Sequence, residues 1–365
     1  MAVKMARRLI GRKKMKFGYT LALAASLVTG LMTTTSAEAA SKGTIVVFVP
    51  SSTNPYIGQF QLGAKAKATD LGYDIKVIEN NFNQSEQDSQ VQQQLASGDK
   101  VAGYIWWPFE NAAGIASLRA LSQSGAPVIL SNQYPIRGTE AFWTAYAGAN
   151  DFLSGKTAAE ILVDACSKAG AKCDKGAIIR FPAGVSAGDD RATGFQDAVK
   201  GKLNVLDVVP TAGFLEDEGY KVASQIIPAH KGELTWLYTE NDSLAGAAAQ
   251  AAKENGLTPG KDIFIVGGTC HGDSKHVKSG EIAGTAIQSG YFEGWMAVQA
   301  LGKFVAQGKV VDGEKYLEAS PDTLPSDSDP LYKYNFLPNP AVANSQAAYD
   351  AAKLWGKSAD QLCNF

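Results

Sequence analysis

Short, uninterrupted apolar runs alternate along this chain with longer segments whose apolar positions recur every three or four residues. The first run, Ile45-Val46-Val47-Phe48-Val49, has no polar interruption, as expected of a strand buried on both faces of a parallel sheet. Pro55 then opens a helical pattern carried by Ile57, Phe60, Ala64, Ala68 and Leu71, and Gly72 ends it. Ile75–Ile78 is the next strand. A polar helix follows, with Ser85 and Asp88 spaced as a capping box. Val101–Ile105 predicts a strand, Ala112–Ser122 a helix, and Pro127–Leu130 and Phe142–Tyr146 two more strands. The order then repeats. Helices are expected at Asp151–Ala169, Arg191–Val199, Glu218–Ile227, Ser243–Asn255 and Tyr291–Val305. Strands are expected at Ala177–Ile179, Val205–Val209, Leu234–Tyr238, Ile263–Val266 and Ile282–Ile287. Strands alternating with helices imply right-handed crossovers. Two such runs of about five strands predict an α/β protein of two doubly wound parallel-sheet lobes. After Gly313 the pattern loosens into an arm with Pro321, Pro325, Pro330, Pro338 and Pro340, followed by a helix at Gln346–Leu354.

Composition narrows this picture. The chain has 365 residues, 19% charged, with a formal net charge of -2. That is ordinary for a soluble globular protein of about two domains, and the near-neutral balance predicts no nucleic-acid partner. The first forty residues differ from the rest: Arg7, Arg8, Arg12, Lys13, Lys14 and Lys16 precede an apolar run, Leu21–Met32, and then Ala37-Glu38-Ala39. This is the pattern of a secretory signal peptide over 1–40, and the run is too short for a membrane span. The mature protein is therefore expected to be soluble outside the cytoplasm. Four cysteines suit an oxidising compartment. Cys166 and Cys173 flank Gly170 at a spacing that closes a short loop, and Cys270 with Cys363 forms the other candidate bridge; sequence alone leaves three pairings open.

In open α/β sheets, ligands bind outside the carboxyl ends of the strands. The residues at those points are rich in aromatics, Asn, Asp and Gln. Amide and carboxylate groups match the donors and acceptors of adjacent hydroxyls, while ring faces cover the C–H faces of a sugar. Trp106 and Trp107 are both expected to flank the cleft. Catalytic signals are weak. Of the three histidines, His230 reads as a cap or surface group, and Cys270-His271 with His276 lacks the spacing of a metal site. No nucleophile elbow or phosphate loop is present. Asp190 reads as the cap of the helix starting near Arg191. The expectation is a binding protein without metal or cofactor.

Four segments carry a family resemblance: TIVVFVPSSTNPYIGQFQLGAKAKATDLGYDIKV, GVSAGDDRATGFQDAV, LYTENDSLAGAAAQA and GTAIQSGYFEGWMAV. With them the chain, from about Gly43 to Val311, resembles the periplasmic sugar-binding proteins of ABC transporters, of the ribose-binding type. The resemblance implies lobe I over 41–148 and 289–318, lobe II over 149–288, a three-segment hinge, and an arm with a helix over 319–365. It implies a periplasmic, monomeric solute-binding component that hands a monosaccharide or polyol to a permease. Carried over position by position, the ligand contacts are Asn54, Tyr56, Trp107, Asn132 and Gln133 from lobe I. From lobe II they are Asp189, Arg191, Phe214, Asn241, Thr269 and Gln288. The family often has Asp-Arg at Asn132-Gln133, Arg at Asp189 and Asp at Thr269, so this pocket carries fewer formal charges. If Asp189 faces the cleft it favours a cationic amino sugar; a secreted enzyme acting on a small sugar is the other alternative.

Overall fold

The computed structural model describes residues 40–363; the expected signal peptide lies outside the described residues. The chain begins with β1 (Thr44–Pro50), α1 (Pro55–Leu71), β2 (Asp74–Asn80), α2 (Gln84–Ala96), β3 (Val101–Trp106), α3 (Ile115–Gln123), β4 (Val128–Leu130) and β5 (Ala145–Gly148). A second unit follows: α4 (Asp151–Lys168), β6 (Lys175–Arg180), α5 (Ser186–Val199), β7 (Asn204–Pro210), α6 (Glu216–Ala229), β8 (Leu234–Thr239), α7 (Asp242–Glu254), β9 (Phe264–Val266), α8 (Lys275–Lys278) and β10 (Gly284–Ala286). The chain then returns through α9 (Gly290–Gln307), β11 (Val311–Tyr316) and β12 (Tyr332–Phe336). It ends with β13 (Ala341–Ala343), α10 (Gln346–Ala351), a small hairpin of β14 (Lys353–Leu354) and β15 (Lys357–Ser358), and α11 (Ala359–Cys363).

Two parallel sheets result. Lobe I has seven strands in the order β11-β12-β5-β4-β3-β1-β2, and lobe II has four, β7-β6-β8-β9. The expected five-strand count fails in lobe II at β10. That segment makes one bond to its neighbour, from the Ala283 N–H to the Ile265 carbonyl, and pairs antiparallel with β13 instead. The segment expected to begin an irregular arm at 319 also departs from the reading: it carries β12, which inserts between β11 and β5. Its alternating Tyr332-Lys-Tyr-Asn-Phe336 pattern suits a half-covered strand near a sheet edge.

Local chemistry sets the helix ends. Asn54 caps α1 by accepting the Tyr56 N–H, Pro55 takes the first turn, and Gly72 closes it in the left-handed region at φ 78°. The capping box at Ser85 is not formed; Asn83 is the cap of α2, and Glu86 reaches back to the Asn81 N–H. Asp190 is likewise not a cap, because α5 starts at Ser186.

Both lobes pack their first helix through a close glycine crossing. A β-carbon on Gly63 of α1 would lie 1.7 Å from the Tyr291 carbonyl oxygen, and one on Gly294 of α9 1.9 Å from that of Phe60. In lobe II, Gly155 of α4 and Gly194 of α5 would each place one 2.0 Å from the facing backbone oxygen. The three crossings between lobes run side by side. Leu337 N–H donates to Gly148, and Ile287 N–H to Pro340. Cys166 is bonded to Cys173, and Cys270 to Cys363. The C-terminal segment touches both lobes: Trp355 packs edge-on against Phe292 of α9, while Lys278 of α8 meets Asp360 and the Tyr349 ring.

Candidate functional site

The carboxyl ends of both sheets face a cavity of about 510 Å³ between the lobes. This lies inside the range of roughly 300–1,000 Å³ common for small-molecule sites. Nine of the expected contacts line it: Asn54, Tyr56, Trp107, Asn132, Gln133, Arg191, Phe214, Asn241 and Gln288. Asp189 does not. Because α5 begins five residues before Arg191, Asp189 falls on its outer side and pairs with Arg180. Thr269 also stays out of the lining; it is buried, and its hydroxyl donates to the Glu240 carbonyl at 3.1 Å. Trp106, the last residue of β3, packs against Phe48 in the core, while Trp107, just past the strand end, faces the cavity.

The floor is a chain of polar side chains that runs from one lobe to the other. Tyr56 of α1 donates its hydroxyl to Glu293 of α9 at 2.5 Å. The Gln288 amide, at the second crossing, reaches the Tyr56 oxygen at 3.5 Å and accepts from Arg191 Nη2 at 3.3 Å. Arg191 of α5 in turn donates through Nε to Asp151 of α4 at 2.7 Å, and through Nη1 to the Glu240 carbonyl at 2.8 Å. Both members of the Arg191–Asp151 pair are almost fully buried. Burial works against the guanidinium charge, but the adjacent Asp151 overrides it and holds Arg191 protonated. His271 is the opposite case. Burial, reinforced by Arg191, drives its pKa down to about 3, so the ring is neutral at physiological pH. A carbonyl, that of Gln288, sits 3.0 Å from its Nε2, which places the proton on that nitrogen.

The walls are aromatic. Trp107 stands edge-on to Tyr56, whose other side meets the His271 ring at 4.3 Å between centroids. Phe82, Phe109, Phe181 and Phe214 form a second group: Phe82 meets Phe109 at 5.9 Å and Phe214 at 6.1 Å, and Phe214 meets Phe181 at 5.1 Å. The sequence reading included Phe214 and omitted the other three, although Phe181 directly follows β6 and Phe109 lies two residues past Trp107. Phe82 is harder to see from sequence, since its direction depends on a left-handed backbone at φ 55°.

Gln133 bridges the cleft. Its carbonyl oxygen accepts from the Ser186 hydroxyl at 2.6 Å and the Ala187 N–H at 3.2 Å. It thus serves as the cap that Val185, at the head of α5, cannot provide. Asn241 caps α7 and also donates to the Phe214 carbonyl, fixing that ring's loop. Chemically, the site offers amides, one paired guanidinium, a neutral imidazole and ring faces, and the carboxylates of Glu216 and Asp273 also line it. Among the described residues no group of three or more His, Cys, Asp or Glu side chains is placed to hold a metal ion.

A sequence profile of the periplasmic binding protein domain matches residues 45–309. The ribose import binding protein RbsB of Escherichia coli (strain K12) is 29% identical over 261 residues, which cover 71% of this chain and 83% of that protein. The D-apiose import binding protein of Paraburkholderia graminis is 26% identical over 306 residues, covering 81% and 91%. A carbohydrate transporter solute binding protein from Agrobacterium radiobacter, solved with D-arabinose, has the same fold. Its TM-score is 0.69 at 20% identity, over 88% of this chain and 99% of that one. The profile match over most of the chain, together with the two parallel-sheet lobes and their three crossings, shows that this chain belongs to the periplasmic binding protein family, with the type I, ribose-binding-protein-like fold.

Proposed function

We propose that this chain is the extracytoplasmic solute-binding component of a carbohydrate ABC importer, holding one neutral monosaccharide or polyol between its lobes without chemical change. The observation that carries this reading is the pairing of an amide-rich floor, joined across both lobes by Gln288 and Arg191, with aromatic walls on either side. Sugar hydroxyls need paired donors and acceptors, and the C–H faces between them need apolar cover. The names of its relatives, which import ribose and D-apiose, support the same class. Closure would bury the ligand against both lobes and shift the population towards the form a permease reads. Export to the periplasm and action as a monomer belong to this proposal. With Asp189 turned away and paired to Arg180, that carboxylate gives no reason to prefer an amino sugar, and the screen below decides between neutral and cationic sugars.

A thermal-shift screen of ligand-stripped protein tests it. The panel holds D-ribose, D-apiose, D-arabinose, myo-inositol and D-glucosamine, with amino acids as controls. A ligand at 100 times its Kd adds about 2.7 kcal/mol, or roughly 5 °C in Tm. A shift from a neutral sugar or polyol, recovered unchanged, is the expected result. A response to amino acids alone, or to nothing, would remove the carbohydrate assignment.

Tryptophan fluorescence gives a second, local reading. Trp107 lines the cavity, whereas Trp106 is sealed in the core. The emission change on binding is therefore expected to vanish in Trp107→Phe. If the variant binds and keeps the wild-type response, Trp107 is not at the ligand.

A further inference from the structure

Glu293 has no place among the lining residues, yet it is fully buried directly behind two of them. Its carboxylate accepts the Tyr56 hydroxyl at 2.5 Å and the Asn132 amide at 3.2 Å. These partners come from different parts of lobe I, α1 and the loop after β4. Asn132 is held in the left-handed region at φ 63°, and the Tyr146 hydroxyl grips its carbonyl at 3.0 Å. A non-glycine residue held there needs surroundings that over-determine it, and such positions cluster at functional sites. The side-chain bond to Glu293 is one of those constraints.

We propose that Glu293 is a positioning residue that sets ligand affinity: as a carboxylate it draws in the N–H of Asn132 and the O–H of Tyr56, so that both turn acceptor oxygens towards the ligand. Protonation reverses part of this. A carboxylic acid needs an acceptor for its own proton, and the Tyr56 oxygen is the nearest one. The tyrosine must then redirect its hydrogen, and the site loses an acceptor for a sugar hydroxyl. This inference rests on the carbohydrate reading and names the residue that tunes it.

The surroundings place this switch near neutrality. Burial raises the Glu293 pKa to about 7, although hydrogen bonds from Tyr56 and Asn132 oppose the rise; the Asp151 charge adds to it. The other titratable groups facing it are Tyr56 and Tyr146, whose own pKa values burial pushes well above the ordinary range, so both stay neutral. Arg191 lies beyond Gln288 and is matched by Asp151, and His271 against Tyr56 is uncharged. Burial also raises Asp190 to about 6, and Glu240 and Asp242 to about 8, so the part of any pH response that belongs to Glu293 is the part that disappears in a variant unable to titrate there.

The test compares wild type with Glu293→Gln, which keeps the shape and removes the titration. Calorimetric titration with D-ribose, D-arabinose, D-apiose and myo-inositol is run from pH 5.5 to 8.5. If ligand lowers the Glu293 pKa by one unit, wild-type affinity rises about tenfold across this range. The variant is expected to give a flat profile. A flat wild-type profile, or the same slope in both proteins, overturns the proposal. Melting curves without ligand add an independent reading. An acid whose folded pKa is raised contributes stability below its unfolded value, and loses it as pH rises through about 7. Wild type should thus lose stability relative to Glu293→Gln between pH 4.5 and 7.5, and absence of that difference sinks Glu293 as the titrating group. Failure of all four ligands to bind either protein would remove the carbohydrate reading and the affinity role with it; the melting comparison then reports on Glu293 alone.

Discussion

Arg191→Met is expected to lower the stability of the ligand-free protein by about 3–5 kcal/mol, measured by denaturant or thermal unfolding. The magnitude follows from what the change leaves behind. Asp151 has a side chain only 1% exposed, and its second oxygen has no hydrogen-bond partner. With the guanidinium gone, that carboxylate must stay charged without compensation or take up a proton. The Glu240 carbonyl and Gln288 Oε1 lose a donor as well. The double variant Arg191→Met, Asp151→Asn should recover much of the loss, since it removes both charges together. Recovery of folding without recovery of binding would separate the two jobs of Arg191, holding the α4–α5 corner and completing the cavity floor. A single variant as stable as wild type would show that the pair carries no such weight.

Gly294→Ala should have the next largest effect, roughly 3 kcal/mol. The added carbon would meet the Phe60 backbone oxygen at 1.9 Å, where no rotamer change can make room. The helices α1 and α9 must separate, and Tyr56 and Glu293, one on each, separate with them. Binding should weaken along with stability. Gly58→Ala, in the partner helix α1, is the control. There the new carbon meets nothing closer than 3.8 Å, and helix propensity favours alanine by about 1 kcal/mol. Equal effects at the two positions would show that the close crossing is not what Gly294 supplies.

These expectations show which parts of the molecule can be read from its sequence. Strands such as Ile45–Val49 are legible because burial on both faces demands an unbroken apolar run. The limits of α1 are legible because Asn54, Pro55 and Gly72 act locally. The start of α5 is not, since its first-turn N–H is satisfied by Gln133 from the opposite lobe, and no nearby residue signals it. Asp189 entered the expected contact set by the family resemblance, and the early start of α5 turns it outward. β12 was missed because its alternating polar residues fit an arm as well as an outer strand. Glu293 sits in the first turn of α9, where a carboxylate resembles an ordinary exposed helix-start residue; only the crossing of α1 and α9 turns it inward. The cavity walls were half visible. Trp107, Asn132 and Asn241, close after strands, fall in the lining, while Phe181 was overlooked and Phe82 and Phe109 owe their direction to loops.

The bond between Cys270 and Cys363 spans 93 residues of sequence. That closed length of chain contains two of the three crossings, near Gln288 and at 337–340, together with the exposed, proline-rich stretch around 321–330. It therefore forms a covalent ring through both lobes. A protease cutting at the exposed stretch would make a nick and not a fragment, because the two ends stay joined through sulfur. Only reductant would release the C-terminal piece. The ring thus keeps β12, the crossing at 337–340 and the C-terminal segment attached to the rest of the chain after the exposed stretch has been cut.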